Sequence, residues 1–169
     1  SIFGGELGVN AQLAEGLDVY GGVSVVNGQI DEHAGRPTTV GNEVPYAPRW
    51  TGNFGAQYVT PSFLEGVDLL ARVDWSLVGP TWFHAIQDQS APTVFGSSQD
   101  YTNTERDAYD TIDIRVGFEG PNWSLTGFVR NLTNEKYLDE VIPVPELGGS
   151  NIAPGLRRAW GIQASYNWN

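Results

Sequence analysis

Asp110-Thr111-Ile112-Asp113-Ile114-Arg115-Val116-Gly117-Phe118-Glu119-Gly120-Pro121-Asn122-Trp123-Ser124-Leu125-Thr126-Gly127-Phe128-Val129-Arg130 is the stretch that decides the fold. Ile112, Ile114, Val116 and Phe118 alternate with Asp113, Arg115 and Gly117. A period of two puts these two sets on opposite faces of one strand. Glu119-Gly120-Pro121-Asn122 is a tight-turn cluster. Trp123, Leu125, Gly127 and Val129 then restart the alternation, so the stretch reads as an antiparallel hairpin with one apolar face.

The same pattern extends in both directions. Upstream it predicts strands over residues 5–13, 17–30, 49–59 and 67–77, and downstream a last strand over 156–168. With the hairpin, whose second strand is expected to run through Thr133, that makes seven strands. Their connections alternate in length. Short turns are expected at Ala14-Glu15-Gly16, between Thr60 and Gly66 around Ser62, and at Pro121. Long polar loops are expected over 31–48, 86–109 and 139–155. All short connections therefore lie at one end of an up-and-down sheet and all long ones at the other. Outer-membrane barrels show this asymmetry, with short periplasmic turns and long extracellular loops.

Composition narrows the function. Of 169 residues only 9 are Lys or Arg, against 20 Asp or Glu, for a net charge of -11. No basic stripe exists to neutralise phosphates, so nucleic acid is not an expected partner. Cysteine is absent, which excludes disulfides and thiolate metal sites. No apolar run is long enough for a transmembrane helix, and the chain opens at Ser1 directly in patterned sequence without a signal peptide. Two histidines about fifty residues apart, with no phosphate loop, EF-hand or zinc-helix motif, give no basis for an enzyme or a cofactor.

Alternation alone leaves a soluble sandwich and a membrane barrel both open, since each has one apolar face. Three features favour the barrel. The apolar face carries small residues (Gly21, Gly52, Ala56, Ala71, Gly127, Ala164) whose gaps lipid tails fill but a packed core does not. Aromatics fall near strand ends: Trp50, Tyr58, Trp123, Tyr137, Trp160, Tyr166 and Trp168. The polar face carries Arg72, Asp74, Asp113, Arg115 and Arg130 within strands, which suits a wet or plugged lumen.

Phe128-Val129-Arg130-Asn131-Leu132-Thr133-Asn134-Glu135-Lys136-Tyr137 resembles the penultimate-strand motif of TonB-dependent outer-membrane receptors, where a strand ends in Asn-Leu-Thr/Phe-Asn/Asp and a Tyr follows. The final strand resembles the terminal strand read by the barrel-assembly machinery, with Trp160 to Trp168 as its signal; Asn169 after the last aromatic is a departure. Residues 5–17 and Val44-Pro45-Tyr46-Ala47-Pro48-Arg49-Trp50 are similar to the family's strand–turn–strand and loop-entry segments. The resemblance implies an all-β, antiparallel transmembrane barrel of roughly twenty-two strands with a plugged lumen. On that reading residues 1–169 are the carboxy-terminal part of the barrel, its last seven or so strands, and the plug domain lies outside this chain. Also implied are the Gram-negative outer membrane, lipid contact, and import of a scarce ligand (siderophore, vitamin, saccharide or similar). An inner-membrane TonB energy-coupling complex would drive it through the amino-terminal part. A passive porin-type barrel and a soluble carbohydrate-binding sandwich are the alternatives.

Ligand contacts are sought in the long loops. His33, in Asp31-Glu32-His33, reads as part of a solvated loop, with metal or haem-iron contact as the sharper reading. His84 follows Trp82-Phe83 and suits an interfacial aromatic cluster or ligand stacking. Gln87, Asp88, Gln89, Gln99, Asp100, Tyr101, Asn103 and Arg106 make a polar, aromatic stretch suited to sugars or chelates. The expected ligand-binding set is His33, His84, Gln87, Asp88, Tyr101 and Arg106. Arg72, Arg115 and Arg130 are expected inward, paired with Asp74, Asp113 or plug carboxylates. The sequons Asn122-Trp123-Ser124 and Asn131-Leu132-Thr133 read as accidents of turn and strand chemistry.

Overall fold

Because side chains alternate with a period of two, a one-residue slip between strands would exchange the faces, so the pattern itself specifies register. A computed structural model describes residues 1–93, 95–144 and 149–168, with Pro61 and Ser62 described by backbone alone. Its strands are β1 (Ile2–Ala14), β2 (Leu17–Gly28), β3 (Trp50–Leu64), β4 (Val67–Val78), β5 (Thr81–Trp82), β6 (Ser90–Pro92), β7 (Ser98–Asp100), β8 (Glu105–Arg106), β9 (Tyr109–Glu119), β10 (Trp123–Arg130), β11 (Leu138–Val144), β12 (Gly149–Pro154) and β13 (Ala159–Tyr166). Seven of them form one antiparallel sheet in the order β1-β2-β3-β4-β9-β10-β13. The sheet is open: β1 and β13 each have one neighbour among the described residues.

One row of directly opposed residues crosses the whole sheet as Ala11, Val19, Ala56, Val73, Ile114, Val129 and Trp160. The adjacent row reads Gln12, Asp18, Gln57, Arg72, Arg115, Phe128 and Gly161. The first is apolar throughout; the second is largely polar. Ala11 lies near the turn end of β1 and Trp160 near the loop end of β13, so the row climbs across the sheet. Strands of a tilted barrel are staggered in this way.

No second sheet covers the apolar face among the described residues. Leu7 is 67% exposed and Ile162 73%. The small residues on that face are partly sheltered by the chain's own aromatics: the Phe54 ring lies across Gly21 and Gly52. Trp50, Trp123, Trp160 and Tyr166 stand at strand ends as expected. Trp75, also on this face, donates from its indole N–H to Asp110 at 2.8 Å. Tyr137 departs from the expected girdle and stacks on Tyr109 inside the loop layer, centroids 3.9 Å apart and 6° from parallel.

Several boundaries differ from the sequence reading. The connection expected between Thr60 and Gly66 is strand through Leu64, including Ser62. A register irregularity between Thr60 and Leu64 absorbs the extra residues. The turn itself is Glu65-Gly66, with Gly66 at φ +71° supplying the left-handed position. Likewise Ala14 is strand and Glu15-Gly16 the turn. β10 stops at Arg130, three residues before the expected Thr133, because Asn131 adopts φ +49° and leaves the sheet. β13 is shorter than the expected 156–168. The long loops are not structureless: they carry the ribbons β5–β8, β6–β7 and β11–β12. Residues 145–148 of the third loop, and Asn169, lie outside the described residues.

Candidate functional site: the loop cap and the polar face

The buried residues lie almost entirely in the loops rather than in the sheet. Trp82, Phe83, Ile86, Tyr101 and Val141 form the apolar part, with Thr39, Thr81, Gln87, Thr104, Arg106 and Asn131 buried beside them. Buried polar groups need partners; Thr39, Thr81 and Thr104 find theirs two or three residues away, while others reach across to other loops. Gln87 donates to the Glu43 carbonyl at 2.8 Å and the His84 carbonyl at 3.0 Å, and accepts from the Glu43 N–H at 3.0 Å. Asn42 donates to the Ala85 carbonyl at 2.8 Å. Tyr46 packs edge-on against Phe83, and its hydroxyl donates to Glu140 at 3.1 Å. Burial, and then Glu140 beside it, hold the Tyr46 phenol above its ordinary pKa. Arg49 bridges Glu43 at 2.9 Å and Glu105 at 3.0 Å. Three loops are thereby joined into one cap.

The expected ligand set divides on this frame. His84 stacks on Tyr101 with centroids 4.6 Å apart, and its Nδ1 accepts the Ile86 N–H at 3.0 Å. Burial, and then the nearby Arg36 charge, hold His84 below the ordinary histidine pKa, so the neutral ring is favoured. Tyr101 is 2% exposed, and Gln87 is spent on loop-to-loop bonds. Arg106 is buried, donating to the Leu138 carbonyl at 3.2 Å and Thr81 Oγ1 at 3.1 Å, with its guanidinium 4.8 Å from the Tyr109 centroid. Its Nε has no hydrogen-bond partner among the described residues. Asp88 is exposed at φ +52°. His33 is exposed, its Nδ1 2.9 Å from Thr39 Oγ1. Three of the six, His84, Gln87 and Tyr101, thus meet within the cap; Arg106 is buried against Thr81, Phe83 and Tyr109, Asp88 follows Gln87 in the chain, and His33 stands apart in the first loop. Among the described residues no group of three His, Asp or Glu side chains is placed to hold a metal ion.

Sequence reasoning missed Asn131 as a structural centre. Its amide donates to the carbonyls of Glu135 at 3.0 Å and Leu156 at 2.8 Å, and its Oδ1 accepts the Glu135 N–H at 2.8 Å. Its backbone N–H donates to Asp113 at 2.9 Å. At 4% exposure it is a knot tying the end of β10 to the start of the last strand, not a modification site. The signal was present: Asn tolerates the left-handed region better than other side chains and bonds local backbone.

On the polar face Arg72 grips Asp74 with two bonds of 2.8 Å, and the Tyr20 hydroxyl donates to the same carboxylate. Tyr20 lies over Gly55, where a Cβ would collide with its ring. The expected inward Arg72–Asp74 pair is therefore present. Asp110 and Asp113 lie on opposite faces and form no carboxylate pair.

A family model described as TonB dependent receptor-like, beta-barrel matches residues 1–132. The chain belongs to the TonB-dependent receptor β-barrel family. It is a wall segment of a Gram-negative outer-membrane receptor barrel, and the soluble sandwich and porin readings fall away. Solved structures agree in fold. The ferric yersiniabactin uptake receptor FyuA from Yersinia pestis superposes with a TM-score of 0.79 at 19% identity, over 99% of this chain and 23% of that one. The siderophore receptor PiuA from Acinetobacter baumannii gives 0.65 at 15%, over 96% and 21%. The copper transporter OprC gives 0.64 at 18%, over 98% and 23%. The chain thus spans less than a quarter of the length of these structures. As a TonB-dependent receptor wall, its apolar face meets lipid and its polar face the lumen.

Proposed function

We propose that residues 1–169 are the carboxy-terminal wall and three external loops of a receptor that imports a scarce ligand by TonB-coupled active transport. The observation that carries this reading is the pairing of a lipid-type wall with a densely bonded cap at the long-loop end only. We assign the loop end to the cell exterior and the turns at Glu15, Glu65 and Gly120 to the periplasm. The parent supplies the remaining strands and a plug, and the amino-terminal part contacts the inner-membrane complex. β13 and the aromatics up to Trp168 serve as the assembly signal. A ferric siderophore is the leading ligand class, because FyuA and PiuA carry that role in their names. Asp88, His33 and the open edge of His84 are the contacts available to it; Gln87, Tyr101 and Arg106 hold the loops that present them.

The test is uptake of radiolabelled iron chelates by cells with and without the parent gene. Uptake should require the gene and stop when the proton-motive force is collapsed. Uptake that persists without the proton-motive force would sink the energy-coupled reading.

A further inference from the structure

The rim where the last strand enters the wall is basic in an acidic chain. Of 9 Lys and Arg side chains, three fall in the two short segments that flank the β11–β12 ribbon: Lys136, Arg157 and Arg158. Glu135 is the single carboxylate in those segments. The segments are tied down. Asn131 donates to the Leu156 carbonyl at 2.8 Å, Asn134 Oδ1 accepts the Arg158 N–H at 3.2 Å, and the Gly155 N–H donates to the Tyr137 carbonyl at 2.9 Å. The Arg158 guanidinium donates to the Leu132 carbonyl at 3.4 Å. None of the three cations forms an ion pair among the described residues. Asp110, on the outward face of β9, accepts the Trp75 indole N–H instead.

The apolar side chains beside these cations face out. Leu156 is 75% exposed and Trp160 77%. Trp160 lies opposite Val129 in the apolar row, on the face that meets lipid, and a Trp at a strand end sits at the headgroup level. Arg158 stands two residues beyond it toward the loops, about 7 Å further out at the rise of an extended chain. That is the depth of lipid phosphates, just past the hydrocarbon, and an arginine there keeps its stem on apolar surface and its guanidinium among the headgroups.

We infer that Lys136, Arg157 and Arg158, with Leu156 and Trp160, form a docking site for the phosphate-bearing headgroup of an outer-leaflet lipid. This rests on the assignment of the long-loop end to the cell exterior. Charge complementarity selects the headgroup, because guanidinium forks take phosphate oxygens in pairs and basic clusters at the membrane surface attract anionic lipids. Leu156 and Trp160 select a lipid over a free phosphate ion, since they offer the first acyl carbons an apolar surface that a bare anion does not use.

The test uses the full-length parent receptor in detergent, with native mass spectrometry reading bound lipid during titration with lipid A carrying two phosphates, or with the same lipid stripped of both. The unmodified receptor should hold the phosphorylated lipid about tenfold more tightly than the stripped one. R157Q/R158Q should lose roughly tenfold of that affinity and R157Q alone roughly threefold, while R157K/R158K stays near the unmodified level. Barrel assembly is checked by heat-modifiable gel mobility, and the single variant, which keeps the Arg158 bond to Leu132, decides in the same way should the double one fail to assemble. Equal binding of the two lipids overturns the site, as do Gln variants that bind like the unmodified receptor. Displacement of the lipid by millimolar inorganic phosphate makes this a free-anion site and overturns the lipid assignment. An epitope inserted at Glu32 in the first long loop should be read by antibody on intact cells. An epitope hidden there overturns the orientation, and the leaflet with it, whatever the lipid titration gives.

Discussion

The wall and the cap solve the same problem in opposite ways. In the wall, backbone groups pair strand to strand and the large apolar side chains stay exposed, because their partner is lipid. In the cap, strands are two or three residues long or form small ribbons, yet Trp82, Phe83, Ile86 and Tyr101 are buried and polar side chains bridge loops. The wall is periodic and tolerant of side-chain detail; the cap is aperiodic and depends on individual bonds. A substitution should therefore act on the wall through its face and on the cap through its partners.

The sharpest break of that contrast is a charge in the lipid-facing wall. Val73, at the centre of β4, faces outward. Val73→Arg should cost about 2–4 kcal/mol of barrel stability in bilayers, while Ser76→Arg on the lumen face costs far less. Denaturant titration of the parent barrel in lipid vesicles measures both, and equal costs would undo the assignment of faces.

Next comes the cap's knot. Asn131→Ala removes three side-chain bonds and leaves buried backbone groups unpaired, at a cost of about 1–3 kcal/mol. Amide exchange should accelerate around Glu135 and leave β2 and β3 unchanged. Spread of the effect through the wall would mean that the two regions are not separable.

Acidity should loosen the cap alone. His84 is held below the ordinary histidine value, near 6.5, so the folded cap binds fewer protons than the opened one. Its contribution is fully present above that ordinary value and is lost as pH falls through the lower folded value. Protonating Nδ1 also removes the acceptor of the Ile86 N–H. Protection of the Ile86 amide should fall as pH drops below about 6.5 once intrinsic exchange is corrected, and His84→Gln should flatten the profile. A pH-independent profile in the unmodified protein would contradict the role given to this ring.

The smallest effect belongs to the exposed bridge between Arg49 and Glu105. Glu105→Gln should change cap stability by only about 0.2–1 kcal/mol, less at high salt. A loss as large as that of Asn131→Ala would show the loops to be held by surface charge rather than by buried bonds.

The number of wall strands and the face of each residue were legible in the sequence because a strand repeats every two residues. Ala11, Val19 and Ala56 announce their face wherever their partners lie. The asymmetry of connections and the Asn131-Leu132-Thr133-Asn134 stretch pointed to the barrel family for the same reason, being local patterns. The cap was not legible. Gln87 meets Glu43, Tyr46 meets Glu140 and Arg106 meets Leu138 across separations of 44, 94 and 32 residues, and no periodicity relates such residues. As sequence, Tyr101 and Arg106 are equally good ligand contacts or loop anchors. Only tertiary structure decided that they are buried, because a buried polar side chain takes its partner from whatever chain folds against it, and that neighbour is set by the path of the loops.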